Sequence, residues 1–220
     1  IKWKANSLGI YKKRAIQVKT NLDSLLLENN ESYYWIGFLM ADGFIEHKQF
    51  RLSLALQRND DVQIKKFAKY INSQNINYIT KYRYSKLKNK ICEYEMCSVS
   101  AADKHFVPQI IEKYNFKPRK TYNPPNLSFL DNDMNLFISF IIGFIDGDGT
   151  ISKIKNSQRV ELAIRCHHSW LNNLQYISDK ITNHIGVPNK NAIIYDNCAT
   201  LRMNSKMIRF LYQKSKELNL

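Results

Sequence analysis

The chain is short of acidic residues, of paired cysteines and of long apolar runs, and each shortage narrows the choices. Only 19 acidic residues stand against 33 basic ones in 220, a net charge of +14 with a pI near 9.6. Such a surplus favours a polyanionic partner, nucleic acid or an anionic membrane, without choosing between them. The four cysteines, Cys92, Cys97, Cys166 and Cys198, form no CxxC pair. A chain of this length does not depend on disulfide staples, so a reducing compartment is the simpler reading. Cys166-His167-His168 has no second ligand pair at finger-like spacing, which leaves a strand-end cluster as the plainer alternative to zinc. The longest apolar stretch, Leu136 to Ile145, is about half of the roughly 20 residues a bilayer crossing needs, and it runs into Asp146 and Asp148. The N-terminal stretch carries Lys2, Lys4, Lys12, Lys13 and Arg14 but no apolar core of a secretory signal. The expectation is an intracellular protein with no membrane span and no export signal.

What is present is enough apolar material, 44% with 12% aromatics, for one large domain or two small ones, and a sequence written twice. Residues 34–45 read YWIGFLMADGFI and residues 140–151 read FIIGFIDGDGTI. In register, Gly37 matches Gly143, Phe38 matches Phe144, Asp42 matches Asp148, Gly43 matches Gly149 and Ile45 matches Ile151, an offset of 106 residues.

Each copy is followed by a similar pattern. Leu52, Leu54 and Leu56 alternate with Arg51, Ser53 and Ala55, and Val160, Leu162 and Ile164 alternate with Arg159, Glu161, Ala163 and Arg165. A period of two predicts half-buried strands. Helical patterns follow near 60–72 and 169–183, strand-like runs near 77–84 and 91–99 and near 191–196 and 198–204, then helices near 102–114 and 205–217. The order is α-β-β-α-β-β-α, twice, an α+β fold. The predicted division is a basic extension over 1–30, a first half over 31–116, a linker over 117–131 holding Pro118, Pro124 and Pro125, and a second half over 132–220. Within the extension, Leu8-Gly9-Ile10 hints at the remnant of a helix-turn-helix.

If each motif is a helix, Gly37 and Ala41 share one face, as do Gly143 and Gly147, and small residues at that spacing let two backbones approach closely. Gly43 and Gly149 suit the left-handed residue that ends a helix, which puts Asp42 and Asp148 on the last turns. A helix C-terminus disfavours an anion by about 0.3–1 kcal/mol. Two carboxylates about 5 Å apart at an effective dielectric near 20 repel by about 3 kcal/mol more. Such a pair calls for a counter-charge, and a divalent cation with oxygen ligands is the natural one; turn capping or pairing with nearby lysines is the alternative. Gly147-Asp148-Gly149 lacks the Lys-Ser/Thr of a P-loop and the spacing of GxGxxG.

WIGFLMADG (Trp35 to Gly43) and IIGFIDGDG (Ile141 to Gly149) resemble the LAGLIDADG motif, and the two-motif layout over about 33–217 resembles the single-chain homing endonucleases of that family. The resemblance implies pseudo-twofold halves joined through the motif helices, with antiparallel sheets forming a saddle for double-stranded DNA. It implies that Asp42 and Asp148 bind Mg²⁺, or Mn²⁺, or Ca²⁺ in a non-cleaving complex, helped by the backbone carbonyls of Ala41 and Gly147. The expected reaction is metal-assisted hydrolysis that breaks both strands of a target of about 20 base pairs, leaving short 3′ overhangs, by a protein acting as a monomer. Met40 departs from the motif where the second copy has Asp146, a position that is not the metal ligand. Gln57, Arg58, Arg165 and His167 fall where the family orders water or steadies the phosphate, and Lys120 resembles its peripheral active-site lysine.

With the leucines taken as core, the saddle would present Arg51 and Ser53, Lys81 and Arg83, Arg159 and Glu161, and Thr200 and Arg202 to the groove, with Glu46, Lys48 and Ser152 beside them. Tyr82 and Tyr84 alternate with these and are expected to fill core rather than to stack on single strands. An intron-RNA maturase and a non-catalytic DNA-binding protein on the same scaffold are the alternatives; neither needs both aspartates. An intein-embedded domain is disfavoured because no splicing residues flank the chain. The start on Ile1 reads as a trimmed chain, and the abundance of Asn, Lys, Ile and Tyr points to an AT-rich phage, organelle or bacterial genome.

Overall fold

In the computed structural model, residues 20–85, 87, 89–153 and 160–220 are described. Arg159 and Leu8-Gly9-Ile10 therefore lie outside the described residues. The first half runs α1 (Asn30–Ala41), β1 (Gly43–Glu46), β2 (Arg51–Gln57), α2 (Asp61–Tyr70), β3 (Ile76–Ser85), β4 (Lys90–Ala102) and α3 (Phe106–Lys113). The second runs α4 (Met134–Asp148), β5 (Gly149–Lys153), β6 (Val160–His167), α5 (Leu171–Ile185), β7 (Ile193–Tyr195), β8 (Cys198–Met203) and α6 (Ser205–Glu217). Both halves have the expected α-β-β-α-β-β-α order. Their antiparallel four-stranded sheets share one topology, β1-β2-β4-β3 and β5-β6-β8-β7. No helix among the described residues is long and apolar enough to cross a membrane.

Both motif helices begin on side-chain caps: Asn29 accepts from the Ser32 N–H at 2.8 Å, and Asp133 accepts from those of Asn135 at 2.7 Å and Leu136 at 3.0 Å. Residues Ser32 through Met40 of α1 are all buried, as a helix apolar on every side must be. Its main neighbour is α4, and the two cross at glycines. A methyl added at Gly37 would stand 1.9 Å from the Phe140 carbonyl oxygen, and one at Gly143 would stand 1.9 Å from that of Tyr34. Residues 140 and 34 are equivalent in the repeat, so this reciprocity is the pseudo-twofold axis seen at atomic scale. Further along, a methyl at Gly147 would meet the Ala41 Cβ at 2.4 Å.

Gly43 and Gly149 differ from expectation. Gly149 is extended (φ −78°, ψ 149°), Gly43 opens β1, and the left-handed glycine among the described residues is Gly186, which closes α5 at φ 65°. The two motif glycines are required by close approach instead: a Cβ would lie 2.5 Å from the Leu39 carbonyl oxygen at Gly43 and 2.3 Å from that of Ile145 at Gly149. Each chain turns from helix into strand across its own last turn, leaving no room for a side chain.

Leu52, Leu54, Leu162 and Ile164 are buried as their alternation predicts, whereas Val160, at the start of β6, is exposed. Tyr82 and Tyr84 are also a correction, being 70% and 55% exposed. They share a strand face with buried Cys97 and Val99, but the β3–β4 hairpin runs on past the core beneath it. Residues 20–29, read from sequence as part of the basic extension, include a 3-10 turn, Leu22–Leu26, whose Leu22 and Leu25 are buried. The Leu25 carbonyl accepts from both Ser32 and Tyr114 hydroxyls. The linker is strapped to the second half, where Asn173 donates to the Pro125 carbonyl and Lys180 to that of Leu130.

One cross-seam polar contact follows from the departure at Met40. Tyr34 donates its hydroxyl hydrogen to Asp146 Oδ2 at 2.8 Å and accepts from Gln63 Nε2 at 3.0 Å. The equivalent pair across the pseudo-twofold axis, Phe140 and Met40, is wholly apolar and buried.

Candidate active site and nucleic-acid face

Asp42 is the capping residue of α1 and Asp148 the last residue of α4, so both carboxylates leave helix ends that the glycine seam brings together. The closeness is visible at Gly147, where an added methyl would lie 3.3 Å from Asp42 Oδ2. Partial burial raises the pKa of both groups. The negative charge of Asp42 raises Asp148 further, and that of Asp60, just beyond β2, raises Asp42. Asp60 carried no periodic or motif signal in the sequence; only the fold brings it near.

A counter-charge is already built in. Lys120 Nζ donates to the Met40 carbonyl at 2.7 Å and to the Ala41 carbonyl, capping the negative end of α1. Burial lowers its pKa, while Asp148 and Asp42 oppose that shift. The segment that carries it is fixed to the second half: Trp170 Nε1 donates to the Lys120 carbonyl at 3.1 Å, and Ser169 Oγ to that of Thr121 at 3.1 Å. The Ala41 carbonyl, expected from the resemblance as a metal ligand, is therefore hydrogen-bonded to an ammonium. A cleft of about 420 Å³ beside Asp42 is lined by Lys117, Arg119, Lys120 and Tyr122 among others.

Strand register aligns the helper residues. Gly43 pairs with Leu54 and Gly149 with Ile164, so Gln57 in the first half and His167 in the second hold equivalent places at the strand ends. His167 packs edge-on against Tyr122 at 4.8 Å, and its Nδ1 is 3.0 Å from Ser169 Oγ. Arg58 lies over the Tyr78 ring at 4.0 Å, and Arg165 is exposed on the face of β6. Cys166 falls on the opposite face from His167, close enough to Asp148 and Lys120 to sense both; burial, chiefly, pushes its thiol up to about 12. The Cys-His-His run is thus split across a strand, and among the described residues no three His, Cys, Asp or Glu converge as metal ligands.

The sheet faces away from the core carry charge in a definite pattern. The pairings Ser53 to Ser100, Lys81 to Tyr94, Arg83 to Cys92 and Ser85 to Lys90 put Arg51, Ser53, Lys81, Arg83 and Lys90 on one face. Tyr82 to Glu93 and Thr80 to Glu95 put the hairpin's acids on the other. Glu46 lies opposite Arg51, and Lys48 is exposed in the β1–β2 turn. In the second sheet Ser152 pairs with Glu161, and Glu161 also meets Arg202 Nε at 3.7 Å. Thr200 stands between Arg165 and Ile193 but is 3% exposed, its hydroxyl with no hydrogen-bond partner among the described residues.

The endonuclease I-WcaI bound to its DNA recognition sequence superposes with a TM-score of 0.57 at 11% identity, over 94% of this chain and 90% of that one. The N-terminal LAGLIDADG domain of DUF199/WhiA gives 0.52 at 16% identity, over 92% and 90%. This is the LAGLIDADG-like fold. Full-length DUF199/WhiA from Thermatoga maritima gives 0.52 at 15% identity over 91% of this chain, which spans only 61% of that protein. No protein-family model and no curated protein matches the chain. The LAGLIDADG-like fold is thus shared with the homing endonuclease I-WcaI and with the N-terminal domain of DUF199/WhiA.

Proposed function

We propose that the chain is a DNA-cleaving homing endonuclease of the LAGLIDADG type, hydrolysing one phosphodiester in each strand of a long duplex target of about 20 base pairs. The observation that carries this is the convergence of Asp42 and Asp148 at the ends of α1 and α4, with a basic sheet face on the same chain. A divalent cation fits the donor chemistry: two hard carboxylates whose negative form is disfavoured by burial, beside helix-end carbonyls. Asp42, Asp148 and the Gly147 carbonyl would hold Mg²⁺ or Mn²⁺, which when bound polarises a phosphoryl oxygen and lowers the pKa of water.

The chain's own residues supply the rest. Arg51, Lys81, Arg83 and Lys90 neutralise phosphates and set register on the duplex. Gln57 and His167, in equivalent places, orient water or the scissile phosphate in their respective halves. Lys120 holds positive charge at the seam, stabilising charge that develops on the phosphate. Because each half brings one aspartate, a single copy of the chain suffices for both strands, with short 3′ overhangs as the product.

A second reading has one observation in its favour. Lys120 already supplies positive charge at the seam and engages the Ala41 carbonyl, as a protein that binds DNA without cutting it would permit. Incubation with Mg²⁺ and a randomised duplex library, followed by sequencing of cut ends, separates the readings. Nuclease activity predicts recovered ends that vanish when both aspartates become Asn, and nicking when only one does. Metal-independent duplex binding without ends identifies the non-cutting protein, and preference for structured intron RNA over every duplex identifies a maturase.

A further inference from the structure

Gln57 and His167 hold equivalent places in the two halves, yet one side chain can take up a proton and the other cannot. Gln57 is exposed, whereas His167 is half-buried and held by its neighbours. The Tyr122 ring packs edge-on against it at 4.8 Å, and Tyr122 also lines the cleft beside Asp42. The His168 ring lies 4.0 Å away. Cys198 stands opposite His167 on β8, Tyr195 is paired with Cys198 on β7, and Arg165 lies two residues back on the same face.

The hydrogen bonds around Ser169 decide which ring nitrogen carries the proton. Ser169 Oγ donates to the Thr121 carbonyl at 3.1 Å and is 3.0 Å from His167 Nδ1. A hydroxyl has one hydrogen, so toward Nδ1 this oxygen only accepts, and Nδ1 bears the proton of the neutral ring. The Ser169 backbone N–H, 3.4 Å from Nδ1, points to the opposite tautomer, but at that length it is the weaker contact. Nε2 then keeps its lone pair, the arrangement of a histidine base oriented through its other nitrogen. Gln57 offers no such group, since an amide does not take up a proton near neutral pH.

We infer that His167 is the general base for cutting one strand and that the other strand is cut without one. This rests on the proposed hydrolysis of duplex DNA and adds to it that the two half-reactions differ in chemistry. His167 Nε2 takes one proton of the water whose oxygen bonds to phosphorus. The bond from phosphorus to the leaving sugar oxygen breaks, and that oxygen keeps the electron pair and is protonated by a second water. The hydroxide so formed takes the proton back from His167, so the net change is one water added across one phosphodiester. Ser169 is a positioning residue that fixes the tautomer.

The test follows each strand separately, on a cleaved duplex recovered from the library and end-labelled on one strand or the other, in Mg²⁺ between pH 8 and pH 5.5. An imidazole changes charge in this range and an amide does not. The rate for one strand should therefore fall relative to the other by about tenfold per pH unit once the imidazole is protonated, leaving nicked product. His167→Gln should slow that strand alone by about 10²-fold at pH 8 and make the ratio of the two rates independent of pH. His168→Gln, which removes the neighbouring imidazole, should keep the pH step. Nitrogen-15 NMR of the imidazoles in the unaltered protein, with His167→Gln to assign the signal, should show the neutral His167 ring protonated at Nδ1, and Ser169→Ala should shift it toward Nε2. A ring protonated at Nε2, a ratio independent of pH in the unaltered protein, or loss of the step in His168→Gln overturns the base while leaving the nuclease standing. Absence of any cut duplex with the unaltered protein overturns the nuclease reading, and the base with it.

Discussion

Lys120 crosses from the linker to place its ammonium 2.7 Å from the Met40 carbonyl oxygen, at the C-terminal end of the helix that carries Asp42. One side chain thereby answers two unfavourable features of the seam, the unsatisfied carbonyls of a helix end and the proximity of two carboxylates. Replacing it with Met should cost about 1–3 kcal/mol, since two carbonyls lose their donor and the aspartates lose their counter-charge. In EDTA the melting temperature should fall by about 2–10 °C for a chain of this size. Mg²⁺ should restore more of it in the variant than it adds to the unaltered protein. Equal melting temperatures in EDTA would show that the lysine is not a counter-charge.

The aspartates give stability an unusual dependence on pH. Their folded-state pKa values are raised, so between the ordinary carboxylate value of 3.8 and the raised values the folded state binds more protons than the unfolded state. Stability therefore falls as pH rises through that window. Asp148→Asn removes one such group and should melt higher than the unaltered protein at pH 7.5 in EDTA, with the difference disappearing near pH 3.5. The opposite order at pH 7.5 would mean that Lys120 more than compensates the pair.

Gly37 and Gly186 separate two uses of glycine. Gly37→Ala must move a backbone carbonyl that would otherwise lie 1.9 Å away, so a loss of about 3 kcal/mol or more is expected, through separation of α1 from α4. Gly186→Ala meets no atom of the described residues within 4 Å but keeps a φ of 65°, and should cost only about 1 kcal/mol. Urea unfolding of both variants measures the contrast; comparable losses would deny that the seam is held by backbone contact.

Tyr34 and Asp146 form a polar pair where the pseudo-twofold mate is apolar. Tyr34→Phe leaves a carboxylate without its donor and should cost about 1.5–3 kcal/mol. Tyr34→Phe combined with Asp146→Met copies the Phe140 and Met40 pair and should recover most of that loss. A double-mutant cycle by thermal unfolding gives the coupling, and strict additivity of the two changes would rule the pair out as a stabilising contact.

The Gly37/Gly143 repeat, the leucine alternation in β2 and the capping residues were all legible because each is a local pattern whose period matches one kind of element. The same repeat pointed to Asp42 and Asp148. Less visible was why Gly43 and Gly149 are glycines: left-handed geometry and close approach leave the same letter in a sequence, and only the carbonyls of Leu39 and Ile145 distinguish them. Tyr82 and Tyr84 were misread because alternation reports which face a residue is on, not whether another layer covers that face.

By itself the sequence determined two equivalent α-β-β-α-β-β-α halves, a seam of small residues and one carboxylate at the end of each motif helix. Periodicity and repetition are properties of the chain order and need no partner to be read. Tertiary structure alone decided that Lys120 places a cation at the seam, that Asp60 adds its charge to Asp42, and that the β3–β4 hairpin runs on past the core. Those facts depend on segments distant in sequence meeting in space, and on where the core stops, and no local period encodes either.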